Sequence, residues 1–470
     1  MTRFFIKIAI SLLLAGCSLA PEYQRPEIAT PQQYKELNVQ WLEANPDKAT
    51  ISPGKWWEIY QDPVLNELEE KIAIGNQDLK LAVARYDEAQ ALLMVARSAY
   101  FPMIIGNGQV YREQTSNTIA NSDTVLLFNN WLLDATLSYE IDLWGQIRNS
   151  VAVAENQMQA STINIAAVNL SLQSQLASTY FALRGTDELQ RVLDNAVVVY
   201  ERAYRLRASR LKVGIDAADI YYQAKTLWQN ALTLAADNRL QRAQLEHAIA
   251  VLIGVTPSEL TIKPERSTSP LVVIEPALPS TLLERRPDIA VAEHLVIAAN
   301  AEIGVTRSAF FPSFNILTGL GTESQNVTEF FNSPSFVWGI AGNVAQPIFE
   351  GGQLIGLNDQ AWAQYKESVA IYRQTILTAY QEVEDALVAL NQLQQENTSQ
   401  QAAFTAADLA FIKANYRYEG GITTYLDVVD LQNEALQMEL SLIDVTTRYQ
   451  LATIQLIKAL GGGWKAANAT

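Results

Sequence analysis

Between residues 131 and 143 the chain alternates. Trp131, Leu133, Ala135, Leu137, Tyr139, Ile141 and Leu143 fall on one side; Asp134, Thr136, Ser138, Glu140 and Asp142 fall on the other, with Leu132 the exception. This is the two-residue period of a strand with one apolar face. It returns where Phe336, Trp338, Ile340, Gly342 and Val344 alternate with Ser335, Val337, Gly339, Ala341 and Asn343. Weaker, glycine-rich partner strands are expected at 102–113 and 312–322, joined through polar loops at Thr115–Asp123 and Thr322–Ser335. The rest reads as helix. A short helix opens at Asp62-Pro63, a capping residue followed by proline at the first helical position, and stops near Gly75. Helix resumes at about Gln77 and ends before Pro102; its counterpart runs from Arg286-Pro287 to before Pro312. After each hairpin comes a proline-free stretch, 146–212 and 353–419. At about 1.5 Å per residue, each predicts a helix of roughly 100 Å. Gly214 and Gly420-Gly421 break these stretches, and return helices are expected over 215–253 and 423–460. Helices this long imply a coiled coil or a barrel of helices.

The chain is therefore two copies of one plan. Arg97-Ser98-Ala99-Tyr100-Phe101-Pro102 returns as Arg307-Ser308-Ala309-Phe310-Phe311-Pro312, and Gly145-Gln146 as Gly352-Gln353. Lys212-Val213-Gly214-Ile215 aligns with Glu419-Gly420-Gly421-Ile422, and Leu252-Ile253-Gly254 with Ala459-Leu460-Gly461. The unit is far longer than a solenoid repeat. Repeat 1 is placed at 61–254, with its hairpin at 102–143. Repeat 2 is placed at 286–461, with its hairpin at 312–347. A linker at 255–285 separates them, a segment at 17–60 precedes them and a tail at 462–470 follows.

The first residues read as an address. Arg3 and Lys7 precede a short apolar run from Ile8 to Leu14, too short to span a bilayer. Leu14-Ala15-Gly16-Cys17 then resembles the bacterial lipobox, so residues 1–16 are read as a lipoprotein signal peptide and Cys17 as the acylated first residue. An ordinary secretory peptide is the alternative. Cys17 is the only cysteine in 470 residues, so it has no partner for an internal disulfide. More than one acyl chain there would anchor the protein firmly.

No later stretch contains about 18 consecutive apolar residues. A closed β-barrel is the other way for a chain to cross a membrane. Strands of 10–13 residues suit a tilted crossing, and Trp131, Tyr139, Trp144, Trp338 and Phe349 mark their ends; a soluble hairpin with one wet face is the alternative. Four strands cannot close alone, since the smallest membrane barrels have about eight, so the chain must oligomerise. A dimer and a trimer both remain open on strand count. Removal of Arg3 and Lys7 leaves 32 basic residues against 50 acidic, a net charge of −18, which argues against nucleic acid and anionic lipid surfaces as partners.

With these elements in place the chain resembles the TolC-like outer-membrane efflux proteins, specifically the lipoprotein branch serving resistance-nodulation-division pumps. The resemblance covers nearly the whole chain. It rests on Trp56-Trp57-Glu58-Ile59-Tyr60-Gln61-Asp62-Pro63-Val64-Leu65 and on Leu278-Pro279-Ser280 with Leu282-Leu283-Glu284-Arg285-Arg286-Pro287-Asp288-Ile289. Ala292-Glu293, Ala298-Ala299-Asn300-Ala301, Ile303-Gly304 and Gln346-Pro347-Ile348-Phe349-Glu350-Gly351-Gly352 continue it. The resemblance implies a mainly α fold with a transmembrane β part. A homotrimer would build a twelve-stranded barrel in the outer membrane and a periplasmic barrel of long helices, with an equatorial belt from 20–55, 255–285, about 390–405 and the tail. It implies a periplasmic adaptor (membrane fusion) protein and an inner-membrane pump as partners, no catalysis, and no cofactor beyond the covalent lipid on Cys17. A duct for protein secretion and a non-conducting lipoprotein tether are the competing readings.

The resemblance also places a periplasmic entrance at the helical hairpin tips. Leu426, Asp427 and Asp430 fall on its closing leucine and aspartate rings, and Tyr418 on a tip tyrosine. Asp219 is a further tip contact. Thr423 stands where TolC itself carries an arginine, so that protein's tip salt-bridge network is not implied here. Asp427 and Asp430 share a helix face. Thr424-x-x-Asp427 also fits a capping box, and Asp216-x-x-Asp219 the same role; Asp430 lies past the first turn, where capping does not explain it. His247 and His294 lie apart in helices without clustered ligands, and with five methionines no soft-metal relay is indicated.

Overall fold

The computed structural model describes residues 18–36, 54–116, 118, 125–266, 269, 282 and 284–464. Cys17, the signal peptide, most of the first hairpin loop, much of the linker and most of the tail lie outside the described residues. The element order is α1 (Pro63–Gly75), α2 (Gln77–Ser98), β1 (Met103–Gln114), β2 (Leu127–Glu140), α3 (Gln146–Lys212) and α4 (Ala218–Leu252), then α5 (Pro287–Ser308), β3 (Ser313–Ser324), β4 (Phe336–Ala345), α6 (Gln353–Glu419) and α7 (Tyr425–Ala459). The two proline-free stretches are single helices of 67 residues each, and the return helices have 35 each. Two compact units share these elements: residues 1–27, 85–162 and 291–373 in one, 28–84, 163–290 and 374–470 in the other.

The first unit holds one antiparallel sheet in the order β1-β2-β3-β4, which leaves β1 and β4 as free edges. Register carries the apolar side across all four strands: Ile104 lies opposite Leu137, Leu137 opposite Thr318, Thr318 opposite Ile340, and Leu320 opposite Trp338. The other side carries Asn107, Asp134 and Gly321 in one row. β2 begins and ends earlier than its alternation predicts. Asp142 is withdrawn from the strand to cap α3, accepting hydrogen bonds from the Ile147 and Arg148 backbone N–H groups at 3.0 Å each. Trp144 then donates through its indole N–H to the Pro312 carbonyl at 2.8 Å and packs against Phe311. Residues 18–21 lie along the helices beside the sheet. Ser18 donates to Asn149, Asn300 donates to the Pro21 carbonyl, and a methyl group at Gly304 would collide with Asn149 and Ala20. Of the described helices α5 alone is apolar and long enough to cross a membrane, with mean hydropathy 1.3, and 44% of that window is buried in the protein.

The second unit shows how one plan is executed twice with different residues. Where α2 starts, Asn76 donates to the Leu252 carbonyl at the end of α4 (2.8 Å); where α5 starts, Arg286 donates to the Ala459 carbonyl at the end of α7 (3.1 Å). Glycine is required at both joints: a Cβ on Gly254 would strike the Gly75 backbone, and one on Gly461 the Arg285 carbonyl. Each long helix is also banded by an extended segment. On α3, Arg184 donates to the Lys263 carbonyl and Asp187 accepts from the Glu265 N–H. On α6, the Glu384 carboxylate accepts from the Lys35 and Glu36 N–H groups, while Asn391 donates to the Glu36 carbonyl. Extended chain has unpaired main-chain groups, and buried or half-buried ones need partners; these side chains supply them.

Candidate functional site: the hairpin tips and the sheet

Both hairpin tips lie in the second unit and use the same turn. α3 closes with the Ile215 N–H bonded to the Arg210 carbonyl across Gly214 (φ +73°); α6 closes with the Ile422 N–H bonded to the Arg417 carbonyl across Gly421 (φ +72°). A left-handed residue is needed there, which is why both tips carry glycine. Beyond the isoleucine that follows each glycine, the side chains differ.

In the first tip Asp216 is clasped by Arg207 (3.2 Å) and Arg210 (2.9 Å). Burial pushes the Asp216 carboxyl up, and the two guanidinium groups more than offset this, holding it below the ordinary carboxylate range. α4 consequently starts at Ala218, later than expected, with Ala217 in the cap position and no side-chain cap; Asp219 makes no capping bond. In the second tip Thr424 caps α7. Its hydroxyl accepts from the Asp427 N–H, and Asp427 accepts in return from the Thr424 N–H. The Thr423 and Thr424 hydroxyl groups also donate to the Asp427 carboxylate. Those hydrogen bonds hold Asp427 below the ordinary range, so it stays ionised in mild acid. Asp430, one turn further on, is exposed, and among the described residues no hydrogen bond or ion pair engages it. Leu426 is 49% exposed, and Val213, Ile215 and Ile422 of the two turns are exposed as well.

The two tips are tied to each other by Arg207. Its guanidinium carbon lies 3.5 Å from the centre of the Tyr425 ring and 5.9 Å from that of Tyr418, and it donates to the Tyr418 hydroxyl at 3.1 Å. The residue is only 2% exposed. Sequence reasoning pointed to Tyr418 but missed Arg207, Arg210 and Tyr425. Thr423 in place of an arginine leaves TolC's own network unimplied, and the tips are instead tied through Arg207, ahead of the first tip. The available signal was Arg207 and Arg210, three apart in the last turns of α3, just before Asp216. His294 stands against Asn156 (3.0 Å), and burial lowers its pKa; no metal-holding group of three His, Cys, Asp or Glu exists among the described residues.

One unit thus holds a four-stranded sheet with two free edges and an apolar face, and the other holds the two helical hairpin tips. The sequence profile described as "Outer membrane efflux protein" matches residues 68–255 and 278–462. The chain is 29% identical over 469 residues to the probable efflux pump outer membrane protein TtgC of Pseudomonas putida, covering 99% of this chain and 96% of that one. It is 30% identical over 459 residues to the solvent efflux pump outer membrane protein SrpC of Pseudomonas putida, covering 97% of each. The Campylobacter jejuni CmeC outer membrane channel superposes with a TM-score of 0.91 at 26% identity, covering 96% of both chains. The chain belongs to the outer membrane efflux protein family: it is a bacterial outer-membrane channel acting in efflux, and not an enzyme.

Proposed function

We propose that three copies close into a duct that passively carries cargo from an inner-membrane resistance-nodulation-division pump, through a periplasmic adaptor, across the outer membrane. The supporting observation is the sheet: four strands with free edges at β1 and β4 and an exposed apolar face. Unpaired edges at membrane depth need partners, and closure by further copies supplies them. The entrance is the tip. Leu426 forms the apolar constriction, Asp430 is the carboxylate free to meet passing cations, Asp427 serves the helix cap first, Asp219 faces the entrance uncapped, and Arg207 with Tyr418 latches the two hairpins. Acyl chains on Cys17 anchor each copy.

Mass measurement of the detergent-solubilised protein tests this. The expected mass is three times that of a chain slightly lighter than the 52.1 kDa precursor, with acyl groups on Cys17. A monomer or dimer that conducts ions would contradict the assembly, and an unmodified Cys17 would contradict the anchor.

A further inference from the structure

Glu69 lies on the inner face of α1 with Leu65, Leu68 and Ile72, and it is 2% exposed. Among the described residues neither carboxyl oxygen has a hydrogen-bond partner, and the side-chain oxygen of Asn66, one turn earlier, has none either. The neighbouring charges on α1 are spent elsewhere: Lys71 pairs with Glu67 at 2.7 Å, and Glu70 pairs with Lys55 at 2.8 Å, all at the surface. The elements that touch α1 offer nothing in compensation. Tyr60, in the turn before α1, has a buried hydroxyl that is itself unpartnered. On α3, Tyr180 donates to Asp62, and Arg184 is engaged by Tyr180, Asp187 and the Lys263 carbonyl. Among the described residues no charged or titratable group bears on Glu69. Burial alone raises its pKa well above the ordinary range, because the ionised form would leave water for an apolar contact without a partner.

The segment that carries Glu69 is bounded by a distinct backbone feature at each end. Gln61, just before the helix, is the one non-glycine residue with positive φ (+52°) among the described residues, and Gly75 ends the helix in backbone contact with Ile253 and Gly254. We propose that Glu69 is a proton-operated switch: protonated, it docks α1 against the long helices of its unit; ionised, it drives α1 to swing outward between Gln61 and Gly75. The folded state then holds a proton that the undocked segment does not. Docking is strongest at and below the ordinary glutamate range. It weakens as pH rises, by up to about tenfold per pH unit, until the raised pKa is passed.

The switch is independent of the duct reading, because it is read on α1 itself and not on conduction. Hydrogen exchange of the peptide covering 63–75 in the full-length assembled protein, corrected for intrinsic chemistry, measures it from about pH 6 to about pH 9. The wild type is expected to lose protection in α1 progressively across that range, Glu69→Gln to stay flat, and Glu67→Gln, at the surface, to follow the wild type. If Glu69→Gln does not assemble, Glu69→Leu carries the same expectation of a flat profile. Wild-type protection that stays constant to about pH 9 would overturn the proposal. So would equal pH dependence in the wild type and the Glu69 variant.

Discussion

Arg207→Ala is expected to raise the resting single-channel conductance while leaving assembly and melting behaviour nearly unchanged. The guanidinium group is enclosed by Tyr425 and Tyr418 of one hairpin and Asp216 of the other, at 2% exposure. A desolvated cation–π contact contributes about 2 kcal/mol. That is a factor of about 30 in any equilibrium that separates the two hairpins, and it applies once per chain. Asp216 keeps Arg210 after the change, so the first tip stays folded. Arg207→Lys should fall between wild type and Ala, since a lysine keeps the charge but loses the planar stacking. Tyr425→Leu should raise conductance in the same direction, and the double variant should add little to either single one, the signature of one shared interaction.

Asp187→Ala should be the most destabilising single change in the band around α3. Asp187 and Arg184 are both 3% exposed, and Asp187 also accepts from Arg242 at 2.6 Å and from the Glu265 N–H. Removing the carboxylate leaves a buried guanidinium group without its ion partner, a defect that costs about 3–5 kcal/mol. It also takes away the acceptor on the helix for the Glu265 N–H. The expected result is a lower melting temperature and faster proteolysis near residue 265. Arg184→Met combined with Asp187→Leu should recover much of the loss, because the uncompensated charge is then gone. If the single variant melts with the wild type, the band does not hold the helix.

The long helices were legible because proline and glycine punctuate the chain: nothing in 146–212 or 353–419 interrupts the helix, and Gly214 and Gly421 end it with the conformations they alone adopt easily. The strands were legible from their period, but their ends were not. Ile141 and Leu143 continue the alternation of β2, while Asp142 between them is spent on capping α3, a competition that pattern alone does not decide. The Thr424–Asp427 box was visible as spacing and is present as geometry. Arg207 was not visible, because its partners Tyr418 and Tyr425 are more than two hundred residues away and on the other repeat. Glu69 reads as one more acid in a charged helix beside Glu67 and Glu70; only packing separates it from them.

The central claim is a conducting duct whose tip selects by charge, and single-channel recording of the purified protein in planar bilayers tests it most directly. The expected result is a cation-preferring channel with low resting conductance, opened wider by Leu426→Ala. Asp430→Ala should weaken both cation preference and block by divalent cations, and Asp427→Ala should do so less. A protein that inserts without conducting would contradict the duct, and selectivity unchanged by Asp430→Ala but altered by Asp427→Ala would place the entrance charge on the other carboxylate.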